Sequence, residues 1–107
     1  MQFLVVAKDG TDEGALERRR KTRPIHLELI GPLVDAGNVL VGGAILDEAG
    51  EMIGSMLLLD FADRDDLDAW LARDPYVTGG VWQDIEVRPF RTAVGAWQPS
   101  PGLSPSP

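Results

Sequence analysis

The order of strand-like and helical stretches limits this chain to very few folds. Residues 2–7 include five consecutive apolar positions, Phe3 to Ala7, the pattern of a strand covered on both faces and so central in its sheet. A polar loop, Lys8 to Asp12, leads into a highly charged helical stretch over 13–22. Pro24 then stands where a second helical piece can begin, because proline is tolerated at the first helical position. That piece runs to about Ala36 and stops at Gly37-Asn38, a C-terminal signal.

Val39 to Ile45 reads as a second strand. Gly42-Gly43 inside it predicts a bulge or a close approach by another group. Asp47 to Glu51 is a hairpin connection, and Met52 to Phe61 a third strand. Asp63 is placed to cap a helix whose first turn carries Asp65 and Asp66, where the helix dipole favours negative charge. Leu67, Trp70 and Leu71 are its apolar stripe, and it extends to about Arg73. Over residues 82–90, Ile85 and Val87 alternate with Asp84, Glu86 and Arg88, so the last strand buries one face. The order β-α-β-β-α-β is the ferredoxin-like plan, an α+β fold with helices on one face of an antiparallel sheet. The other face has apolar residues to bury, and a second copy of the chain is the expected cover, giving a homodimer.

With 107 residues there is room for one domain, placed at residues 1–95. Beyond Ala96, four prolines and three serines in eleven residues offer nothing to pack. Residues 96–107 are therefore expected to be an extended or disordered tail. No apolar run approaches the roughly 18–20 residues that cross a bilayer, and the strand-like N-terminus lacks the basic and apolar regions of a signal peptide. A cytoplasmic protein without membrane contact is expected. Zero cysteines exclude disulfides, thiolate metal ligands and cysteine nucleophiles. A formal charge of −7 argues against nucleic acid as a partner. Against that acidic background, Arg18, Arg19, Arg20, Lys21 and Arg23 form one basic cluster. It is either a solvated helix end or a source of one or two arginines that face an anionic ligand.

The single histidine falls on an apolar helix face. With His26 at zero on the second helical piece, Leu33 lies at about −20°, Ile30 at about 40°, Leu29 at about −60° and Val34 at about 80°. A ring in that position needs a hydrogen-bond partner, since leaving it unpaired costs on the order of 1–3 kcal/mol. It is either a satisfied core histidine or a group that acts on a ligand. One histidine with scattered carboxylates gives no metal-ligand spacing, so no metal is expected. Asp74-Pro75-Tyr76 follows the last helix. Proline pushes Asp74 out of helical geometry, leaving it at a helix exit or at the start of an Asx-type turn.

Several segments together resemble the YCII-related family. They are Arg23-Pro24-Ile25-His26-Leu27, the strand Val39 to Gly43, Gly54-Ser55, Asp74-Pro75-Tyr76 with Val77 and Gly79, and Val87-Arg88-Pro89-Phe90. The resemblance covers residues 2–91. It implies a dimeric α+β barrel of ferredoxin-like protomers and a pocket with a histidine–aspartate pair, carried over here to His26 and Asp74 as catalytic residues. Ser55 matches the family's small polar residue on the third strand, and Arg23 the arginine before the Pro-x-His step. Together with Tyr76 they are the expected substrate-binding residues. The family is associated in part with dehydrochlorination of chlorinated hydroquinol-type aromatics.

In chemical terms, Asp74 can hold one ring nitrogen of His26 and leave the other to move a proton. Lyase, isomerase or dehydrochlorinase chemistry without a cofactor fits that pair, with Arg23 holding a carboxylate or phenolate. The competing reading is a non-catalytic small-ligand binder or structural dimer, in which the pair ties a helix to a loop.

Overall fold

A computed structural model of the chain describes residues 1–95. The segment 96–107 lies outside the described residues, and with it the expected tail. Seven elements follow one another: β1 (Gln2–Asp9), α1 (Ala15–Asp35), β2 (Val39–Leu46), β3 (Met52–Asp60), α2 (Arg64–Leu71), α3 (Pro75–Thr78) and β4 (Trp82–Phe90). The strands form one antiparallel sheet in the order β2-β3-β1-β4. β1 is central, as its apolar run predicts. Apart from the four-residue α3, this is the β-α-β-β-α-β plan.

The two sheet faces differ by residue parity. Phe3, Val5 and Ala7 of β1, with Leu57 and Leu59 of β3, join Leu67, Trp70 and Leu71 of α2 in the core. The register sets Val5 opposite both Leu57 and Val87. The alternate residues Leu4, Val6, Met56, Leu58 and Val41 line up by the same register on the opposite face, away from that core. Gly54 fixes the β1–β3 pairing beside the site. A Cβ there would stand 2.4 Å from the Ala7 carbonyl oxygen, closer than real side chains come.

The long helix corrects the sequence reading in two ways. α1 is one helix of 21 residues through Pro24 and Pro32 rather than two pieces joined at Pro24. Each proline removes one backbone hydrogen bond and crowds the preceding turn. Buried anchors on both sides of Pro24, namely Arg19, His26 and Ile30, hold the helix together across the gap. The buried stripe is also narrower than the wheel predicts: Leu29 and Val34 are 56% and 51% exposed. At the other end, Gly37 takes a φ of 84° and closes the helix as expected.

The second helix behaves as its first turn predicts, with the Asp63 carboxylate accepting from the Asp66 N–H at 2.9 Å. It ends at Leu71, two residues short of the expected Arg73. Asp74 is not held against a helix C-terminus: it begins α3, where its Oδ1 accepts the Tyr76 N–H at 2.8 Å. The expected turn at Asp74 is thus the cap of a short helix. Gly42-Gly43 lies between two register irregularities in β2, at Val39/Val41 and at Ile45/Leu46. Among the described residues, no helix is long and apolar enough to cross a membrane, and no group of three or more histidine, cysteine or carboxylate residues has the arrangement to hold a metal ion.

Candidate active site

Two rings and a carboxylate meet where α1 crosses α3. His26 is buried on α1, and its Nδ1 lies 2.9 Å from each oxygen of Asp74, which is buried as well. Asp74 Oδ1 also takes the Tyr76 backbone N–H. An ionised carboxylate only accepts hydrogen bonds, so Nδ1 is the nitrogen that carries hydrogen, and Nε2 of the neutral ring holds the lone pair. The Tyr76 ring stacks on His26 with centroids 4.0 Å apart and planes 19° from parallel. Trp82 meets the imidazole edge-on at 5.9 Å. Nδ1 is thus fixed by charge and the ring plane by packing.

Nε2 has no hydrogen-bond partner among the described residues and is not sealed from solvent, and His26 lines a cavity of about 230 Å³. Arg19 and Arg23 of α1, Gly42 and Gly43 of β2, Ser55 of β3, and Tyr76 complete the polar and backbone part of its wall; Ile30, Val39 and Leu57 are apolar. By the register Gly42 stands on the helix side of the sheet opposite Leu57, where a Cβ would meet Leu57 Cδ2 at 3.5 Å. A more open depression along the β1–α1 loop holds none of the ring or dyad groups, and its Arg18 is already paired with Asp12 at 2.7 Å.

All five expected site residues, His26, Asp74, Arg23, Ser55 and Tyr76, thus come to one place. Arg23 is exposed at the cavity and has no ion pair among the described residues. Burial raises the Tyr76 phenol above its ordinary 10.0, against the opposing effect of Arg19 and Arg23. Ser55 is not hydrogen-bonded to His26. Its Oγ accepts from Arg19 Nη2 at 2.7 Å and from Trp82 Nε1 at 3.1 Å.

Asp9 and Trp82 are residues that sequence reasoning missed, and Arg19 was singled out only as one of the basic cluster, of which Arg19 and Arg23 reach the cavity. Arg19 is 2% exposed, and its Nη1 contacts both oxygens of buried Asp9 at 2.9 and 3.0 Å. Its guanidinium carbon also lies 4.9 Å from the Tyr76 ring centroid, within cation–π range. The missed signal is spacing. In an unbroken helix Arg19 lies seven residues before His26 and only about 20° away from it. Arg19, Arg23, His26 and Ile30 then form one face at intervals of four, three and four.

A ferredoxin-like α+β domain with a buried histidine–aspartate pair on a small cavity is the class that this fold and site define. The chain belongs to the YCII-related domain family, whose model matches residues 1–91. Protein YciI of Escherichia coli is 33% identical over 97 residues, covering 85% of this chain and 97% of that relative. Among solved structures, a 5-chloro-2-hydroxyhydroquinone dehydrochlorinase (TftG) of Burkholderia phenoliruptrix, in complex with 2,5-dihydroxybenzoquinone, superposes with a TM-score of 0.74 at 26% identity, covering 85% of this chain and 94% of that one. A dimeric ferredoxin-like protein from Jannaschia superposes with a TM-score of 0.51 at 13% identity, over 85% and 98% of the two chains, a likeness of fold.

Proposed function

We propose that this protein is a cofactor-independent enzyme of lyase, isomerase or dehydrochlorinase type, acting on a small aromatic or anionic substrate with His26 and Asp74 as its general acid/base pair. The observation that carries this reading is the division of labour on the imidazole. Nδ1 is tied to Asp74, while Nε2 has no hydrogen-bond partner among the described residues and belongs to a side chain that lines the cavity. A histidine that serves packing alone has both nitrogens satisfied or sealed.

In the proposed step, Nε2 takes a proton from an acidic C–H or O–H of the substrate, and Asp74 stabilises the imidazolium that forms. The electron pair left behind makes a new double bond. Either a leaving group departs with its own bonding pair, or the proton is returned at a different atom. The likeness to a dehydrochlorinase that binds a dihydroxybenzoquinone supports the elimination branch. Arg23, at the cavity and without an ion pair among the described residues, would hold an anionic oxygen of the substrate.

We further propose that two chains pair through the sheet face opposite the helices. Leu4, Val6, Met56 and Val41 supply partly exposed apolar surface for sheet-on-sheet packing, around Leu58, which is already buried.

The test is turnover of chlorinated hydroxyhydroquinones and small lactones by wild type, His26→Gln and Asp74→Asn. Chloride release or isomerisation by wild type, reduced about 10²-fold or more in His26→Gln, is the expected result. Equal turnover in His26→Gln, with the fold intact, would leave a binding or structural role for the pair.

A further inference from the structure

We infer that Ser55 is a polarised hydrogen-bond donor that holds an acceptor oxygen of the bound molecule, a carbonyl or an oxyanion, within reach of His26. Arg19 and the tryptophan indole are donors only. With Arg19 Nη2 at 2.7 Å and Trp82 Nε1 at 3.1 Å, both lone pairs of Ser55 Oγ are occupied. Its own O–H has no acceptor among the described residues, although Ser55 is only 4% exposed. A hydroxyl buried to that degree needs an acceptor, and the side chain lines the cavity.

Arg19 Nε is buried without a partner among the described residues, and Arg19 also lines the cavity. The bond from a guanidinium draws electron density from the serine oxygen and strengthens its O–H as a donor. The arrangement also argues against Ser55 as a nucleophile, since its lone pairs are committed and no base among the described residues accepts its proton.

The deduction rests on the acid/base reading above and narrows its substrate class. Neutral His26 accepts on Nε2, while Ser55 donates. The complementary molecule has a proton to lose and, conjugated with it, an oxygen that takes up the charge. When the C–H or O–H bond breaks and its proton passes to Nε2, the electron pair moves to the oxygen held by Ser55. A donor placed where charge develops strengthens its contact as the reaction proceeds.

Binding of 2,5-dihydroxybenzoquinone, the molecule held by the related dehydrochlorinase, is to be compared with binding of hydroquinone, which lacks carbonyl acceptors. Both are titrated into wild type, Ser55→Ala and Ser55→Cys. Ser55→Cys keeps the site filled with a weak donor, and so decides the matter if Ser55→Ala does not fold. The expected result is a wild-type preference for the quinone that falls about 10-fold or more in either variant. An unchanged preference in the folded variants overturns the donor role and leaves the histidine mechanism standing. A wild type that binds neither probe overturns both.

Discussion

Arg19 and Asp9 form a fully buried ion pair, 2.9 Å from Nη1 to Oδ1, seven residues along the helix from the histidine that faces the same cavity. Both side chains are at most 4% exposed. Their value lies in the pairing: desolvating two charges is costly, and mutual attraction offsets that cost only while both are present. The guanidinium also bridges β1 to β3 through Ser55, so it ties the sheet to α1 beneath the site.

Removing the two partners one at a time is therefore expected to cost more in sum than removing both together. Arg19→Met or Asp9→Asn alone should destabilise the fold by about 3–5 kcal/mol, the usual scale for a stranded buried charge. The double variant should lose clearly less than the sum. Urea unfolding of the four proteins checks this. Additive losses would mean that the pair contributes nothing as a pair.

The chain contains one tyrosine, so its ionisation can be read without overlap from other phenols. Burial raises the Tyr76 phenol above 10.0. A group whose folded value is raised contributes stability that is fully present below the unfolded value, near 10.0, and lost as pH rises through the folded value. Tyrosinate absorbance is expected to appear later in alkali for the native protein than for the urea-unfolded chain. Loss of helical circular dichroism should accompany or precede it. Titration at the unfolded value with the fold intact would show that the hydroxyl is not buried in solution.

How much of this was legible in the sequence depends on the range of each signal. Element order followed from local patterns, because two-residue and 3.6-residue periods are written into neighbouring positions. His26 and Asp74 were legible as an apolar-face histidine and an Asp-Pro step. Arg19 was not, because Pro24 obeys a local rule that favours a helix start, whereas tertiary anchors on both sides keep α1 continuous. Asp9 read as a loop residue: only the buried guanidinium, a long-range partner, makes it worth drawing into β1. The exposed Leu29 and Val34 show the same limit, since the wheel gives direction but not how wide a stripe the sheet covers.

A homodimer is expected at micromolar concentration, with sedimentation giving about twice 11.6 kDa. Met56→Lys, which puts a charge on the proposed interface, should shift the protein toward monomer while leaving its circular dichroism unchanged. The register places Met56 opposite Val6 on the face away from the helices. A wild type that sediments as a monomer would remove sheet-face pairing and leave the protomer fold untouched.

The orientation of His26 is the point on which the acid/base account turns, and nitrogen NMR of the imidazole measures it directly. Because this is the chain's single histidine, each ring nitrogen gives one unambiguous signal. In water the neutral ring favours hydrogen on Nε2, so the opposite tautomer is diagnostic of a fixed partner at Nδ1. The account predicts that the neutral ring in the native protein carries its hydrogen on Nδ1, toward Asp74, with Nε2 bare. In Asp74→Asn that preference should relax toward the aqueous one. A native spectrum with the hydrogen on Nε2, or a tautomer ratio identical in wild type and Asp74→Asn, would contradict the account, because no base would then face the cavity.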